Sequence, residues 1–212
     1  MTMLTHSLSQ GATDVPLIEQ TLGDFFDAMV VRQPEHLALV SKHQGQRFSY
    51  RELQTASNQL ASALLDLGLV PGDRIGIWSH NNAQWVLMQL ATAKVGLILV
   101  NINPAYRVAE VEYALNKVGC KALVSMPRFK TSDYLGMLRE LAPELASAQP
   151  GALQAKRLPQ LRSVVWIDEP GQPDEAGGVL RFSELIQRGR ADDARLASIA
   201  ATLKATDPIN IQ

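Results

Sequence analysis

The stretch "IGIWSHNNAQWVLMQLATAKVGLILV", residues 75–100, indicates the fold class. Its first four and last four residues are apolar without alternation, which is typical of strands that are covered on both faces of a sheet. Between them, residues recur at the spacing of one helix face: Trp85, Met88, Thr92 and Val95. A strand, a helix and a second buried strand in this order predict a crossover between two parallel strands.

The same pattern continues on both sides of this stretch. Upstream, Ser49 and Glu52 have the spacing of a capping box, which satisfies two backbone amides where a helix begins. Downstream, a helical stripe from Val111 to Val118 precedes a third apolar run. We therefore expect an α/β fold with a largely parallel sheet flanked by helices, in which three strands are parallel neighbours: Ile75–Trp78, Leu97–Val100 and Ala122–Val124.

Shorter elements are predicted outside this unit. Their positions are a helix at Leu22–Val31, a hairpin of Leu37–Val40 with Arg47–Ser49, a strand at Val164–Ile167, a helix capped by Ser183, a helix at Ala194–Leu203 and a strand at Ile209–Gln212. Ser147–Lys156 and Glu169–Gly178 are predicted to be exposed loops, because Gly, Pro and polar residues dominate them.

Composition limits the class of function. Lys and Arg number 20 against 21 Asp and Glu, so no excess of positive charge favours nucleic acid as a partner. Cys120 is the only cysteine, which excludes an intramolecular disulfide and favours a reducing compartment. Residues 1–16 lack the apolar run of a signal peptide, and no stretch approaches the roughly 20 apolar residues of a transmembrane segment. We expect a cytoplasmic protein, with peripheral association with a membrane left open.

The sequence offers two candidate substrate-binding residues and no catalytic set. It contains neither G-x-G-x-x-G nor G-x-x-x-x-G-K-[ST], and its histidines lack metal-ligand spacing. His80 follows a buried strand, where α/β folds place ligand sites, although an ordinary loop histidine is the favoured interpretation. Arg107 could bind a phosphate through its planar guanidinium, although pairing with Glu110 at a helix start is favoured. Cys120 is expected to be packed rather than nucleophilic. We assign no catalytic, cofactor-binding or metal-binding residue.

Two stretches resemble a known enzyme superfamily. "FSYRELQTASNQLASALLDLGLVPGDRIGIWSHNNAQWV" (Phe48–Val86) resembles the first core motif of the acyl-adenylate-forming, or AMP-binding, enzymes and the residues after it. "LATAKVGLILVNINPAYRVAEVEYALNKVGCKALV" (Leu90–Val124) resembles the second core motif, with Lys94-Val95-Gly96 where the family usually has Lys-Ala-Gly. Within it, "VNINPAYR" is similar to the form found in bacterial fatty-acyl-CoA synthetases.

The resemblance implies a reaction and its substrates. Enzymes of this kind join a fatty acid to CoA, convert ATP to AMP and pyrophosphate through an acyl-adenylate, and use Mg²⁺. In the family, a strand resembling "DPINIQ" (residues 207–212) leads directly into the phosphate-binding loop, commonly Phe-Thr-Ser-Gly-Thr-Thr-Gly-x-Pro-Lys-Gly. The adenine-, ribose- and magnesium-binding motifs and the adenylation lysine follow later.

We therefore expect an incomplete N-terminal part of the large domain of an acyl-CoA synthetase. Residues 1–20 are predicted to be a flexible segment, and residues 21–212 the N-terminal subdomain, truncated before the phosphate-binding loop. Such a fragment should be inactive alone, should bind ATP, Mg²⁺ and CoA at most weakly, and could self-associate through exposed apolar surface. The alternative is a naturally truncated, non-catalytic homologue that binds a lipid, a nucleotide or a protein partner.

Overall fold

The computed structural model describes residues 7, 10–168 and 177–212. The predicted loop Glu169–Gly178 therefore lies largely outside the described residues. Along the described chain the helices are α1 Leu22–Arg32, α2 Tyr50–Asp66, α3 Ala83–Lys94, α4 Val108–Val118, α5 Tyr134–Leu141, α6 Phe182–Arg188 and α7 Ala194–Ala200. The strands are β1 Leu37–Ser41, β2 Gln46–Ser49, β3 Arg74–Trp78, β4 Ile98–Ile102, β5 Cys120–Ser125, β6 Arg128–Phe129, β7 Ser132–Asp133, β8 Ser163–Trp166, β9 Val179–Arg181 and β10 Asn210–Ile211.

A parallel sheet organises the described part of the chain, with six strands in the order β10-β4-β3-β5-β8-β9. Ile75 lies beside Leu99 of β4 on one side and Ala122 of β5 on the other. The prediction that these three strands are parallel neighbours is confirmed. The predicted hairpin is also confirmed, since β1 pairs with β2 in antiparallel orientation.

Helices cover both faces of the sheet. The chain moves from β3 to β4 in one direction and from β4 to β5 in the other, so right-handed crossovers place α3 and α4 on opposite faces. Helix α3 packs with α1 and α2, and α2 also contacts α6 and α7, whereas α4 packs with α5. The centre of the sheet is dry, because the side chains of Ile75, Ile77, Leu99 and Leu123 are fully buried.

Local signals explain where the helices begin and end. The capping box at α2 is present, since the Ser49 hydroxyl accepts from the Glu52 amide and the Glu52 carboxylate accepts from the Ser49 amide. Gly119 follows α4 with φ +67°, the left-handed conformation that glycine adopts without steric cost. At α6 the prediction was wrong. Ser183 lies inside the helix, and its amide and hydroxyl both donate to Asp168, so the cap comes from the residues that follow β8.

The expectation of an exposed loop at Ser147–Lys156 is only partly right. These residues form neither a helix nor a strand, as predicted, but Leu153 and Ala155 are buried. The Leu153 amide donates to the Arg162 carbonyl oxygen at 3.0 Å, which holds the segment alongside the approach to β8. The two buried side chains are separated by one residue, too short a pattern to read from the sequence.

Candidate functional site

Strand order directs attention to the carboxyl end of the sheet, where β3, β4 and β5 end. Along the chain the first five strands of this sheet are β3, β4, β5, β8 and β9, but side by side they lie in the order β4-β3-β5-β8-β9. The direction of winding therefore reverses between β3 and β5. In doubly wound sheets, ligands bind outside the carboxyl ends of the strands at such a reversal. The loops that follow β3, β4 and β5 are therefore the place to look for a site.

The loop after β3 is ordered by its own side chains. The Asn82 amide group donates to the Ser79 hydroxyl at 2.8 Å, and the Ser79 hydroxyl donates to the His80 carbonyl oxygen at 2.9 Å. The Asn82 side chain also accepts from the Trp85 amide, so it caps α3. These bonds fix the backbone on both sides of His80.

The His80 ring lies between the loops after β3 and β5. It stacks on Phe129 with ring centroids 4.4 Å apart and 15° between the planes, and its Nδ1 atom lies 2.7 Å from the Met126 sulfur. The His43 ring of the short helical turn between β1 and β2 is 5.5 Å away, centroid to centroid. His80 is thus part of a contact between three segments rather than an isolated loop residue.

The loop after β4, Asn103–Arg107, is held from below by two buried aromatic side chains. The Trp78 indole N–H donates to the Asn103 carbonyl oxygen at 3.2 Å, and the Tyr134 hydroxyl donates to the Pro104 carbonyl oxygen at 2.9 Å. The two rings contact each other, with centroids 4.4 Å apart. We call Trp78 and Tyr134 the aromatic pair.

A short hairpin follows β5 and carries positive charge. Strands β6 and β7 form this hairpin, Arg128–Asp133, which we call the basic hairpin. Lys130 at its tip has φ 52°, and it is the only non-glycine residue with a positive φ among the described residues. Arg107 reaches the hairpin from the loop after β4, since its Nη1 atom donates to the Ser132 hydroxyl at 2.7 Å. Three exposed cations, on Arg107, Arg128 and Lys130, therefore lie on or are bonded to one hairpin.

The charges and protonation states suit an anion rather than a nucleophilic reaction. Burial raises the pKa of the Tyr134 hydroxyl, an effect that the nearby Arg107 charge opposes, so the hydroxyl stays a proton donor at neutral pH. Burial likewise raises the pKa of the Cys120 thiol to about 12, which removes it as a nucleophile. The residues that the structure describes contain no group of three or more His, Cys, Asp or Glu that could hold a metal ion.

Both residues singled out from the sequence lie at this end of the sheet. His80 and Arg107 are on different loops, and each contacts the segment that follows β5. The pairing of Arg107 with Glu110 takes an unexpected form, because the backbone amide of Arg107 donates to the Glu110 carboxylate and the guanidinium goes to Ser132. The aromatic pair and the basic hairpin were not predicted from the sequence, although "RFK" after a buried strand was a visible signal for the hairpin.

A second concave surface adjoins this site, because Tyr106 of the loop after β4 and Glu110 of α4 are among its lining residues. A groove of about 570 Å³ runs between α4 and the β4–β10 edge of the sheet, and we call it the β10 groove. Tyr113 and Ile211 contribute to its lining, with 67% and 38% of their surface exposed. Among the described residues, no helix is both long enough and apolar enough to cross a membrane.

Comparison with protein families places the chain among known sequences. A family model described as AMP-binding enzyme matches residues 26–212. The chain is 43% identical over 208 residues to the human "Medium-chain acyl-CoA ligase ACSF2, mitochondrial". This alignment covers 97% of the chain and 33% of the human protein. It is 32% identical to the "Putative acyl-CoA synthetase YngI" of Bacillus subtilis, covering 92% of this chain and 35% of that protein. The chain thus spans about a third of the length of the curated relatives it matches.

Solved structures agree with the fold. The anthranilate CoA ligase AuaEII in complex with anthranoyl-AMP superposes with a TM-score of 0.67 at 23% identity, covering 94% of this chain and 32% of that one. The N-terminal domain of FACL13 from Mycobacterium tuberculosis gives a TM-score of 0.69 at 19% identity, covering 91% of this chain and 41% of that one. At these identities the likeness concerns the fold alone.

Proposed function

Because this chain belongs to the AMP-binding enzyme family, we propose that it is the N-terminal part of an ATP-dependent fatty-acid–CoA ligase. The observation that carries the proposal is the 43% identity to a medium-chain acyl-CoA ligase across 97% of the chain. The chain spans a third of that relative, so the activity is proposed for a longer polypeptide. The alternative of a non-catalytic binding module has no separate observation in its favour.

The chemistry of such a ligase defines what a scaffold must supply. A carboxylate oxygen attacks the α-phosphorus of ATP and pyrophosphate leaves, which gives an acyl-adenylate. The CoA thiolate then attacks the acyl carbonyl carbon and AMP leaves. Both steps place negative phosphate groups at the enzyme, so fixed positive charges and oriented donors stabilise the bound substrates.

The carboxyl end of the sheet is the part of this chain that fits a phosphate group. Arg107 presents a guanidinium that can donate two parallel hydrogen bonds to phosphate oxygens. Arg128 presents another, whose charge is partly offset by Asp133 at 3.7 Å. Lys130 adds a compact charge on a residue held in the left-handed conformation, and strained backbone of this kind is concentrated at functional sites. We propose that this end of the sheet binds a phosphate group of ATP or of CoA.

Mg²⁺ is proposed as a cofactor of the longer ligase, together with ATP. The metal would neutralise charge on the phosphate oxygens of ATP. The described residues contain no group of three or more possible ligands, and we assign no Mg²⁺ ligand among them.

The 212-residue chain alone is proposed to be inactive. The Gly/Ser/Thr-rich phosphate-binding loop of the family occurs nowhere in its sequence. Displacement of about 1 Å from the reactive geometry can cost ~100-fold in rate, so weak binding without orientation gives no turnover. ATP–pyrophosphate exchange with a panel of fatty acids tests this, with the human medium-chain ligase as the positive control. Exchange by the chain well above the blank would contradict the proposal.

Titration of the chain with CoA, dephospho-CoA and ATP distinguishes the two sources of phosphate. We expect weak binding, which is detected as changes in the backbone amide chemical shifts of the non-proline residues in 103–107 and 128–133. A loss of affinity from CoA to dephospho-CoA would identify the 3′-phosphate of CoA as the group bound. Stronger binding of ATP than of CoA would favour the triphosphate instead. No shift at these residues with any of the three would refute the phosphate site.

Three further expectations stay predictions. The prediction of a flexible segment at residues 1–20 falls partly outside the described residues, which leave out 1–6, 8 and 9, and residues 21–212 are proposed to form one N-terminal subdomain. Self-association through exposed apolar surface is proposed, and the β10 groove is the surface to test. A cytoplasmic location, with or without peripheral membrane contact, is proposed for this chain, whereas the names of the vertebrate relatives place those proteins in mitochondria.

A further inference from the structure

We infer that Trp78 and Tyr134 are positioning residues, which hold the Asn103–Arg107 loop so that the Arg107 guanidinium is ready to bind a phosphate group. The inference rests on the proposed function, because it takes the carboxyl end of the sheet as the phosphate site. It assigns a role to two side chains that do not themselves reach the ligand.

Both polar side-chain atoms of the aromatic pair donate hydrogen bonds to one loop. Trp78 and Tyr134 are each fully buried, and burying an indole N–H or a phenol O–H is unfavourable unless it finds an acceptor. Their acceptors are the carbonyl oxygens of Asn103 and Pro104, two consecutive residues. Since the rings also contact each other, a movement of the loop would break both bonds and disturb the packing beneath it.

The rest of the loop is bound from its other sides. The Asn103 side chain accepts from the Ala105 amide at 2.9 Å, and the Tyr106 amide donates to the Asn103 carbonyl oxygen at 3.0 Å. The Arg107 amide donates to Glu110 of α4, and its guanidinium donates to Ser132 of the basic hairpin. Arg107 is therefore exposed to solvent, but its backbone is held through the loop and by α4, and its guanidinium is held by the basic hairpin.

This arrangement lowers the entropic cost of binding through Arg107. Ordering a long side chain and its loop when a ligand binds weakens affinity, and a loop that is already ordered avoids that loss. Removal of the Tyr134 hydroxyl alone should therefore weaken phosphate binding by roughly 3- to 10-fold, although the hydroxyl does not touch the phosphate. If the hydrogen bond from Tyr134 only stabilised the fold, removing its hydroxyl would lower the melting temperature and leave the affinity for phosphate unchanged.

The test measures binding of inorganic pyrophosphate to the 212-residue chain by NMR titration. The variants are Arg107→Gln, Tyr134→Phe and the double variant, with Tyr113→Phe as a matched control on an exposed tyrosine of α4. We expect Arg107→Gln to lose at least about tenfold in affinity, as for a charge-assisted contact. Tyr134→Phe should lose roughly 3- to 10-fold, and Tyr113→Phe should match the parent chain.

The double variant carries the decision. If Tyr134 acts through Arg107, then Tyr134→Phe should have no further effect in the Arg107→Gln background, because residues that act through one contact are not additive. Additive losses, or an unchanged affinity in Tyr134→Phe, would overturn the positioning role while the phosphate site stands. Parent chain that does not bind pyrophosphate would overturn the phosphate site itself, and the positioning role with it. Should Tyr134→Phe fail to fold, Trp78→Phe removes the other donor to the same loop and is judged by the same criteria.

Discussion

The carboxyl end of the sheet and the region around β10 are stabilised by different interactions. At the carboxyl end, the loops rest on fully buried aromatic rings whose polar atoms are bonded to the backbone. Near β10, the preceding helix α7 is attached to α2 through charge. The buried Asp193 carboxylate accepts from Ser62 at 2.8 Å and from Arg195, which also bonds to Asp66 at 2.6 Å.

The difference teaches where each region is vulnerable. Burial of apolar surface involves no titrating group, whereas a carboxylate network loses its contribution when the carboxylate is protonated. The carboxyl end should therefore keep its geometry under conditions that loosen α7 and β10. At the carboxyl end, the neutral donors of Trp78 and Tyr134 hold the loop after β4 in addition to the charged groups of Arg107 and Glu110.

The largest effect is expected from Trp78→Ala. Deleting a fully buried indole removes its packing and leaves a cavity beneath the loop after β4, so we expect a loss of about 3–5 kcal/mol in the free energy of unfolding. Urea denaturation followed by circular dichroism measures it. A loss below about 1 kcal/mol would show that the aromatic pair does not hold the carboxyl end.

A smaller effect is expected from Asp193→Asn. Hydrogen bonds from Arg195, with a further bond from Ser62, hold the pKa of the Asp193 carboxyl well below its usual range. The ionised form thus stabilises the folded state above the unfolded pKa of about 3.9, and this contribution is lost as the pH falls further. At pH 7 the substitution should cost about 1–2 kcal/mol.

The pH profile of unfolding checks the origin of this effect. The deficit of Asp193→Asn should begin to shrink as the pH falls through the unfolded pKa of about 3.9 and should keep shrinking at lower pH, because the folded-state pKa lies well below that value. Asp192→Asn is the matched control, because Asp192 is the exposed neighbour, and it should follow the parent chain throughout. An Asp193→Asn deficit that persists unchanged at pH 2 would mean that packing, rather than charge, attaches α7.

The smallest effect on stability is expected in the β10 groove. Tyr113→Gln should change the free energy of unfolding by no more than about 0.5 kcal/mol, since the ring is mostly exposed. Sedimentation velocity should show weaker self-association of this variant if the groove is the contact surface. Val31→Gln removes a still more exposed apolar side chain, on α1, and should have less effect on self-association. The reverse order would move the contact surface away from the groove.

Much of the fold could be predicted because its signals are local. The apolar runs of β3, β4 and β5 and the stripes of the helices between them are each contained in a few residues. The error at Ser183 shows the limit, since the true cap is Asp168, 15 residues earlier, and only the folded chain brings the two together. Two-residue strands such as β6 and β7 are likewise too short to leave a periodic pattern.

The candidate site was predictable only in part for a similar reason. His80 and Arg107 could be selected because each follows a strand or lies in a motif with known chemistry. The basic hairpin, which both residues contact, could not be predicted as their common neighbour. It follows β5, and β5 lies beside β3 only because the direction of winding reverses. The contact between Trp78 and Tyr134 depends on the same reversal.

The strand order also has a consequence for how the chain folds. Strands β3, β4 and β5 all lie within residues 74–125, so they can pair as soon as that short stretch has been synthesised. Strand β10 joins β4 across about 110 residues of intervening chain, and closing so long a loop is entropically costly and slow. The nascent chain can therefore assemble the carboxyl ends of the three central strands first and add β10 as a late step.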